Sequence, residues 1–322
     1  MTPIALFVYN RTDTTRKTLD ALIQNTLAAQ TDLYVFSDGG RDEASWKKVN
    51  EVRQLLQAFK EKAEKEGLLH SVTLVLRPEN LYLERNVMEG IAEVLQHHDS
   101  IIAMEDDIIT SPYFLQYMNE ALELYRDEPR VMHVAGFTNL NLIGSPLLDK
   151  DGSETYFTPH MSGAGAWATW RNRWQQYFHH YETEEEALSG LSEDDCRRIQ
   201  YDGAFPCLRL LQKRPVPWDI CWEIAIYKAQ GLCLSPAHTL IRNIGLRQGT
   251  HFSSWRSSRL LQYYEFDRNP LQRALRLKKT SPQISPAIEA AFTEAIRDWG
   301  IRYTWLGRII RFVYLRFFRS NS

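Results

Sequence analysis

Through residue 137 the chain is built from blocks whose apolar period keeps changing. Ile4–Tyr9 (IALFVY) is a short, unbroken apolar run, the pattern of a strand buried on both faces. Asp13 can then cap a helix whose apolar positions Leu19, Leu22, Ile23 and Leu27 share one face. Leu33–Gly40 (LYVFSDGG) predicts a second strand, ending in Asp-Gly-Gly. Glu43–Lys65 predicts a helix with Val49, Val52, Leu55, Leu56 and Phe59 on one stripe. Val72–Leu76 predicts a third strand, and Glu84–His97 a helix through Val87, Met88, Ile91 and Leu95. Ile101–Met104 predicts a fourth strand. Ser111 and Pro112 read as the N-cap and first residue of a helix carrying Leu115, Met118, Leu122 and Tyr125. Val131–Phe137 predicts another strand. This alternation predicts an α/β fold, a mostly parallel sheet with helices on both faces. In such sheets ligands bind at the carboxyl ends of the strands.

The second half is less regular. Gly144–Gly152 reads as a loop, and Met161–Trp174 (MSGAGAWATWRNRW) as a small, flexible segment that turns aromatic and basic. Thr183–Asp195 is acidic and reads as solvated. Val216–Gly231 predicts a loop entering a short helix, Leu232–Gly245 an extended segment and Leu246–Trp255 a loop. From Arg256 the chain is polar and weakly organised until Gly300–Arg319, which carries Arg302, Arg308, Arg311, Arg316 and Arg319 and no acid. At about 100° per residue those arginines take one half of a helix, and Leu306, Ile310, Val313, Tyr314, Phe317 and Phe318 the other. That pattern suits a helix lying in the plane of an anionic membrane surface; its ordinary alternative is a helix packed on the parent domain.

Composition narrows the class. A net charge of −2 over 322 residues gives no nucleic-acid signature. No window approaches the ~18 uninterrupted apolar residues of a membrane span. The first residues, MTPIALFVYNRTD, have no basic leader and too short an apolar run for a signal peptide. Cys196, Cys207, Cys221 and Cys233 form no CxxC pair, which favours a reducing compartment, and a cytoplasmic protein is expected.

The candidate chemistry sits where strands end. Asn10-Arg11, Ser37-Asp38, Arg77 and Glu105-Asp106-Asp107 each follow a different strand and should converge on one crevice. Three tandem carboxylates can hold Mg²⁺ or Mn²⁺, which prefer hard oxygen donors and can bridge two phosphates. A solvated helix start would also accept acids there. Asp38 can accept a hydrogen bond from a base or ribose, and Arg11 can donate to a base or phosphate; Asp-Gly is equally a common turn pair. Gly163 and Gly165 allow close backbone approach in a candidate acceptor loop. Trp167 and Trp170 offer flat faces to a sugar, or else pack the core. Asp219 and Glu223 are four residues apart on one helical face, and either could be a general base toward an acceptor hydroxyl. His251, in a Gly-flanked loop, is a candidate metal ligand or a solvated side chain.

Together IALFVYNR, the strand ending SDG, RPEN after the third strand and MEDDI after the fourth resemble the GT-A nucleotide-sugar glycosyltransferases. The likeness is to family-2-like bacterial sugar transferases and to N-acetylglucosaminyltransferase I, which also uses a Glu-Asp-Asp form of the DxD motif. It covers residues 1–255, a GT-A (Rossmann-like) domain, and leaves 256–322 as a C-terminal helical appendage. The resemblance implies that Asp107 binds the metal, Mn²⁺ or Mg²⁺, and that Asp106 reaches the ribose. Glu105 would reach the transferred sugar's hydroxyls and Asp38 the base, with Asn10, Arg11 and Arg77 lining the nucleotide. PWDICW resembles the segment that holds the base, favouring Asp219, and His251 falls near the metal or diphosphate. Where many family-2 enzymes have Asn-x-Gly, this chain has Asn80-Leu81-Tyr82. The implied activity is metal-dependent, inverting transfer of a hexose or N-acetylhexosamine from a nucleotide-sugar, with a UDP-sugar as the expected donor. The expected acceptor is a glycan or lipid-linked glycan, in surface-glycan synthesis, with peripheral membrane contact through residues 300–319. The alternatives are a nucleotidyltransferase, disfavoured because YNRTDTTRK lacks glycine, and a non-catalytic nucleotide-sugar-binding module.

Overall fold

The computed structural model describes residues 1–148, 152–163, 165–203, 207–245 and 269–302. Strands β1 (Ile4–Val8), β2 (Asp32–Ser37), β3 (Ser71–Leu76) and β4 (Ser100–Glu105) lie parallel in the order β3-β2-β1-β4. They are joined by α1 (Thr12–Leu22), α2 (Glu43–Glu66) and α3 (Tyr82–Leu95). The apolar stripes decide which face each helix covers. Leu19 and Leu22 of α1 and Val52 and Leu56 of α2 pack one face; Val87, Ile91 and Val94 of α3 pack the other.

Beyond β4 the sheet continues as β8 (Ala166–Trp170), β6 (Val131–Ala135), β9 (Leu232–Pro236) and β7 (Thr155–Thr158). Here β8 runs antiparallel to both neighbours, β9 parallel to β6, and β7 antiparallel to β9. β5 (Ile108–Thr110) pairs antiparallel with β10 (Ile241–Asn243) in a separate ribbon. Helices α4 (Phe114–Leu124), α5 (Arg171–Tyr177) and α8 (Trp218–Lys228) complete the covering layers. The molecule is therefore the helix-covered α/β sheet that the sequence predicts, parallel in its first half and mixed in its second.

Several local expectations are corrected. Asp13 does not cap α1; it sits in the first turn and pairs with Lys17, while Arg11 takes the N-cap position and turns its side chain elsewhere. Ser111 precedes α4, which starts at Phe114, because its hydroxyl is committed to Leu271 O and Tyr113 N. Met161–Trp174 is not a flexible loop throughout: Ala166–Trp170 is a central strand buried at every residue. The acidic Thr183–Asp195 stretch folds into α6 (Glu184–Leu188) and α7 (Glu193–Ile199), capped by Thr183 and Ser192. These helices close a small core of Ala187, Ile199, Leu211, Ile220 and Ile224 against α8.

The described residues after 255 pack on the same body. Both Glu154 oxygens accept from Arg273 at 2.8 Å, and Leu275 joins the main core. Helix α9 (Pro286–Arg302) buries Ile288, Phe292 and Ile296 against Leu140, Leu142 and Tyr201. Residues 303–319, most of the expected interfacial helix, lie outside the described residues, as does His251. Among the described residues no helix is long and apolar enough to cross a membrane. All four cysteines are free thiols.

Candidate active site

β4 ends at Glu105, and the chain turns through Asp106 and Asp107 into β5. Asp106 and Asp107 are only 3% and 5% exposed, and carboxylates so withdrawn from water need a partner. Arg11 supplies it. One guanidinium nitrogen lies 2.8 Å from Asp107 Oδ2, and the other bonds Asp106. Thr15 Oγ1 donates to Asp106 Oδ2 at 3.3 Å. From the ribbon, Asn243 Nδ2 reaches Asp107 Oδ1 at 3.3 Å, and Ile244 N donates to Asp107 O at 2.8 Å. The backbone of Gly245 comes so close that a Cβ there would stand 1.8 Å from Asp107 Oδ2. Burial pushes the Glu105 carboxyl up to about 8, aided by repulsion from Asp107 and Asp106. Burial also raises Asp106 to about 6, with Arg11 opposing.

A fourth acid approaches from the other half of the chain. Glu105 N donates to Gly165 O at 2.9 Å, and β8 follows directly. Trp167 of β8 stacks on Trp218, 5.4 Å between ring centroids and 16° between planes, which fixes the first turn of α8. Asp219 stands in that turn, and its charge is close enough to contribute to the raised Glu105. Glu223, one turn later, is 4% exposed. Its oxygens accept from His160 Nδ1 at 2.6 Å and Met161 N at 3.0 Å. Glu223 is therefore buried and committed to His160 and Met161.

The β2–β3 side is organised around Asp38. One of its oxygens accepts from Gly39 N at 2.9 Å and Leu81 N at 2.7 Å, the other from Asn80 Nδ2 at 2.9 Å. Burial raises its pKa despite those bonds. Asp38 shapes the 79–82 turn, and Gly39 permits the approach: a Cβ there would meet Glu79 C at 2.3 Å. The Arg41 guanidinium lies 4.7 Å from the Tyr82 ring centroid and 5.6 Å from that of Tyr9. Asn10 follows Tyr9 in the turn between β1 and α1, half-buried. Arg77 is turned toward α3, where it pairs with Glu93 at 2.6 Å and lies over Phe36, so its charge is already taken up.

Of the acceptor candidates, Gly165 lies beside Glu105, while Gly163 stands next to Phe137. Trp167 is corrected: it is 0% exposed, stacked between His133 and Trp218, and offers no face to a ligand. Sequence reasoning missed Thr15, Arg41, Tyr82, His160 and Asn243. Only Tyr82 carried a signal, as the residue standing where a glycine was expected.

Among the described residues no three or more His, Cys, Asp or Glu side chains are arranged to close around a metal ion. The donor chemistry of Asp106 and Asp107 still suits one. Mg²⁺-type ions commonly take one or two carboxylates and complete their shell with substrate phosphates and water.

No protein-family model and no curated protein matches the chain. Comparison of three-dimensional structures returns glycosyltransferases. The whole chain aligns with 76% of the mannosyltransferase PcManGT from Pyrobaculum calidifontis, in complex with GDP-Man and Mn²⁺, at 13% identity and a TM-score of 0.41. It also aligns with 74% of S. aureus TarS 1–349 in complex with UDP-GlcNAc, at 10% identity and a TM-score of 0.44. Against the longer S. aureus TarS structure it spans 45% of that chain, at a TM-score of 0.42 and 10% identity. The donors named belong to those proteins; what this chain can bind rests on its own crevice.

Proposed function

We propose that the chain is a glycosyltransferase that moves a hexose or N-acetylhexosamine from a nucleotide-diphosphate donor, a UDP-sugar first, to an acceptor hydroxyl. The observation that carries this is the convergence of Arg11, Asp106 and Asp107 at the carboxyl ends of β1 and β4, with Gly165 beside Glu105. Such a crevice sets carboxylates and a fixed cation within one site. Asp107 would hold Mn²⁺ or Mg²⁺, with His251 as a further ligand, and the ion would neutralise charge on the departing diphosphate. Arg11 would lie beside the nucleotide, with Asp106 accepting from the ribose and Glu105 reaching the transferred sugar's hydroxyls. Asp219 takes the acceptor's proton as its oxygen attacks the anomeric carbon opposite the leaving group, which inverts that centre. The arginine-rich segment 300–319 would bring the enzyme to the inner face of an anionic membrane, where lipid-linked surface glycans are the expected acceptors.

The test is calorimetric titration of UDP with Mn²⁺ and with EDTA, on wild type and Asp107→Ala. Binding that needs the metal and disappears in the variant supports the assignment. If neither UDP nor GDP, dTDP or CDP binds with either metal, the nucleotide-sugar reading is lost.

A further inference from the structure

Helix α8 is buried nearly all round. Trp218, Ile220, Cys221, Trp222, Glu223, Ile224, Ala225 and Ile226 are all withdrawn from water. Trp218 stacks on Trp167 at its first turn, and Tyr227 Oη donates to Asp195 Oδ1 at 2.8 Å near its end. Between them lies a buried polar contact. Glu223 projects to the segment after β7, where His160 and Met161 N satisfy both its oxygens. His160 is itself only 7% exposed. Its carbonyl accepts from Thr158 Oγ1 at 2.6 Å, which ties it to β7. The Tyr201 ring covers the imidazole with centroids 4.0 Å apart, and Tyr201 in turn packs on Phe292 of α9. Tyr201 adopts φ +55°, a left-handed conformation unfavourable for an aromatic residue. A buried His–Glu pair is seldom kept for stability alone, since well-packed apolar residues of similar volume do as well. Its distinctive contribution is geometry.

We propose that His160 and Glu223 are the positioning pair of Asp219, helping to fix the rotation of α8 and with it the direction of the carboxylate one turn earlier. This rests on the proposed role of Asp219. Neither His160 nor Glu223 touches substrate; both act through the helix.

The experiment measures UDP release from UDP-N-acetylglucosamine, UDP-glucose and UDP-galactose with Mn²⁺, alongside UDP affinity by calorimetry and the melting temperature. The variants are Asp219→Asn, Glu223→Gln, His160→Phe and His160→Asn. Phe keeps the ring volume but loses the donor to Glu223, whereas Asn returns an N–H near the position of Nδ1. Expected is a kcat loss of tenfold or more in His160→Phe and Glu223→Gln, with KM and UDP affinity within about twofold and kcat largely restored in His160→Asn. Should His160→Phe fail to fold, the nearly isosteric Glu223→Gln carries the same test. If Asp219→Asn is inactive but Glu223→Gln and His160→Phe keep kcat within twofold, or if Asn rescues no better than Phe, the positioning role is overturned and the base assignment stands. If Asp219→Asn turns over normally, or wild type releases UDP from none of the donors, the underlying functional reading fails and the inference falls with it.

Discussion

The two halves of the sheet are built on opposite plans. From β1 to β3 each strand is followed by a helix that covers the sheet, and polar residues collect at the strand ends in a charged crevice. From β6 to β9 the strands interleave out of sequence order around an aromatic block. In that block Trp167 lies between His133, at 5.0 Å, and Trp218, at 5.4 Å, with Trp174 and Trp222 alongside. The first half gathers its polar groups in the crevice proposed for the donor. The second packs aromatic rings around Trp167 and carries Asp219, the proposed base, on the helix that begins at Trp218.

The sharpest way to break this contrast is Trp167→Ala. Removing a fully buried indole should destabilise the fold by about 3–5 kcal/mol. Urea or thermal melting measures it. A Trp that served an acceptor would instead leave the melting midpoint almost unchanged and raise the acceptor KM.

The halves should also answer pH in opposite directions. Glu105 ionises near 4.5 when unfolded but holds its proton up to about 8 in the fold. A carboxyl raised in this way contributes stability below pH 4.5 that is lost as pH rises toward 8. Glu105→Gln should therefore remove part of the alkaline loss. Asp106, raised to about 6, titrates in the same range, so the melting curve reports both groups together. Added Mn²⁺ should diminish the gain by relieving the same repulsion.

His133 has the reverse sign. Burial lowers it from 6.5 to about 3, and neither ring nitrogen has a hydrogen-bond partner among the described residues. The unfolded chain takes up a proton near 6.5 that the folded chain refuses until about pH 3. Stability is complete above pH 6.5 and falls as pH drops through that window. At pH 5 the cost is about 2 kcal/mol, and His133→Phe should flatten that slope. Stability curves from pH 4 to 8 for both variants test the pair: parallel slopes would remove the electrostatic part of the contrast.

These differences also explain what the sequence reveals. Parallel βα units are local, so a change of apolar period marks each strand and helix through β4, and the crevice acids can be placed from strand order alone. β8 is long-range: Ala103 meets Trp167 only after the chain has returned antiparallel. The glycines before Ala166 and the arginines after Trp170 disguise its short, doubly buried run as a loop. His160 and Glu223 are likewise 63 residues apart, and their pairing has no periodic signature. Asp38 could be located but not assigned its partners, since its bonds to Gly39, Asn80 and Leu81 depend on how β2 and β3 end together.

The smallest expected effect on stability concerns the crevice wall at Tyr82, which is 52% exposed and holds φ +60°. Only glycine adopts that conformation without penalty, and glycine is what many family-2 enzymes have there. For any other residue the strain costs about 1–2 kcal/mol. Tyr82→Gly relieves that strain but adds flexibility at the start of α3, at a cost of roughly 0.5–1 kcal/mol. The melting midpoint should therefore move by about 1 kcal/mol at most. Nucleotide affinity should move more, because the Arg41–Tyr82 stack at 4.7 Å forms the flat wall beside Asp38. Loss of an aromatic face is worth about 0.5–1.5 kcal/mol, several-fold in the UDP dissociation constant, and Tyr82→Phe should retain it. Unchanged affinity in Tyr82→Gly would mean that the strained tyrosine faces solvent only, and that the nucleotide side of the crevice ends at Asp38.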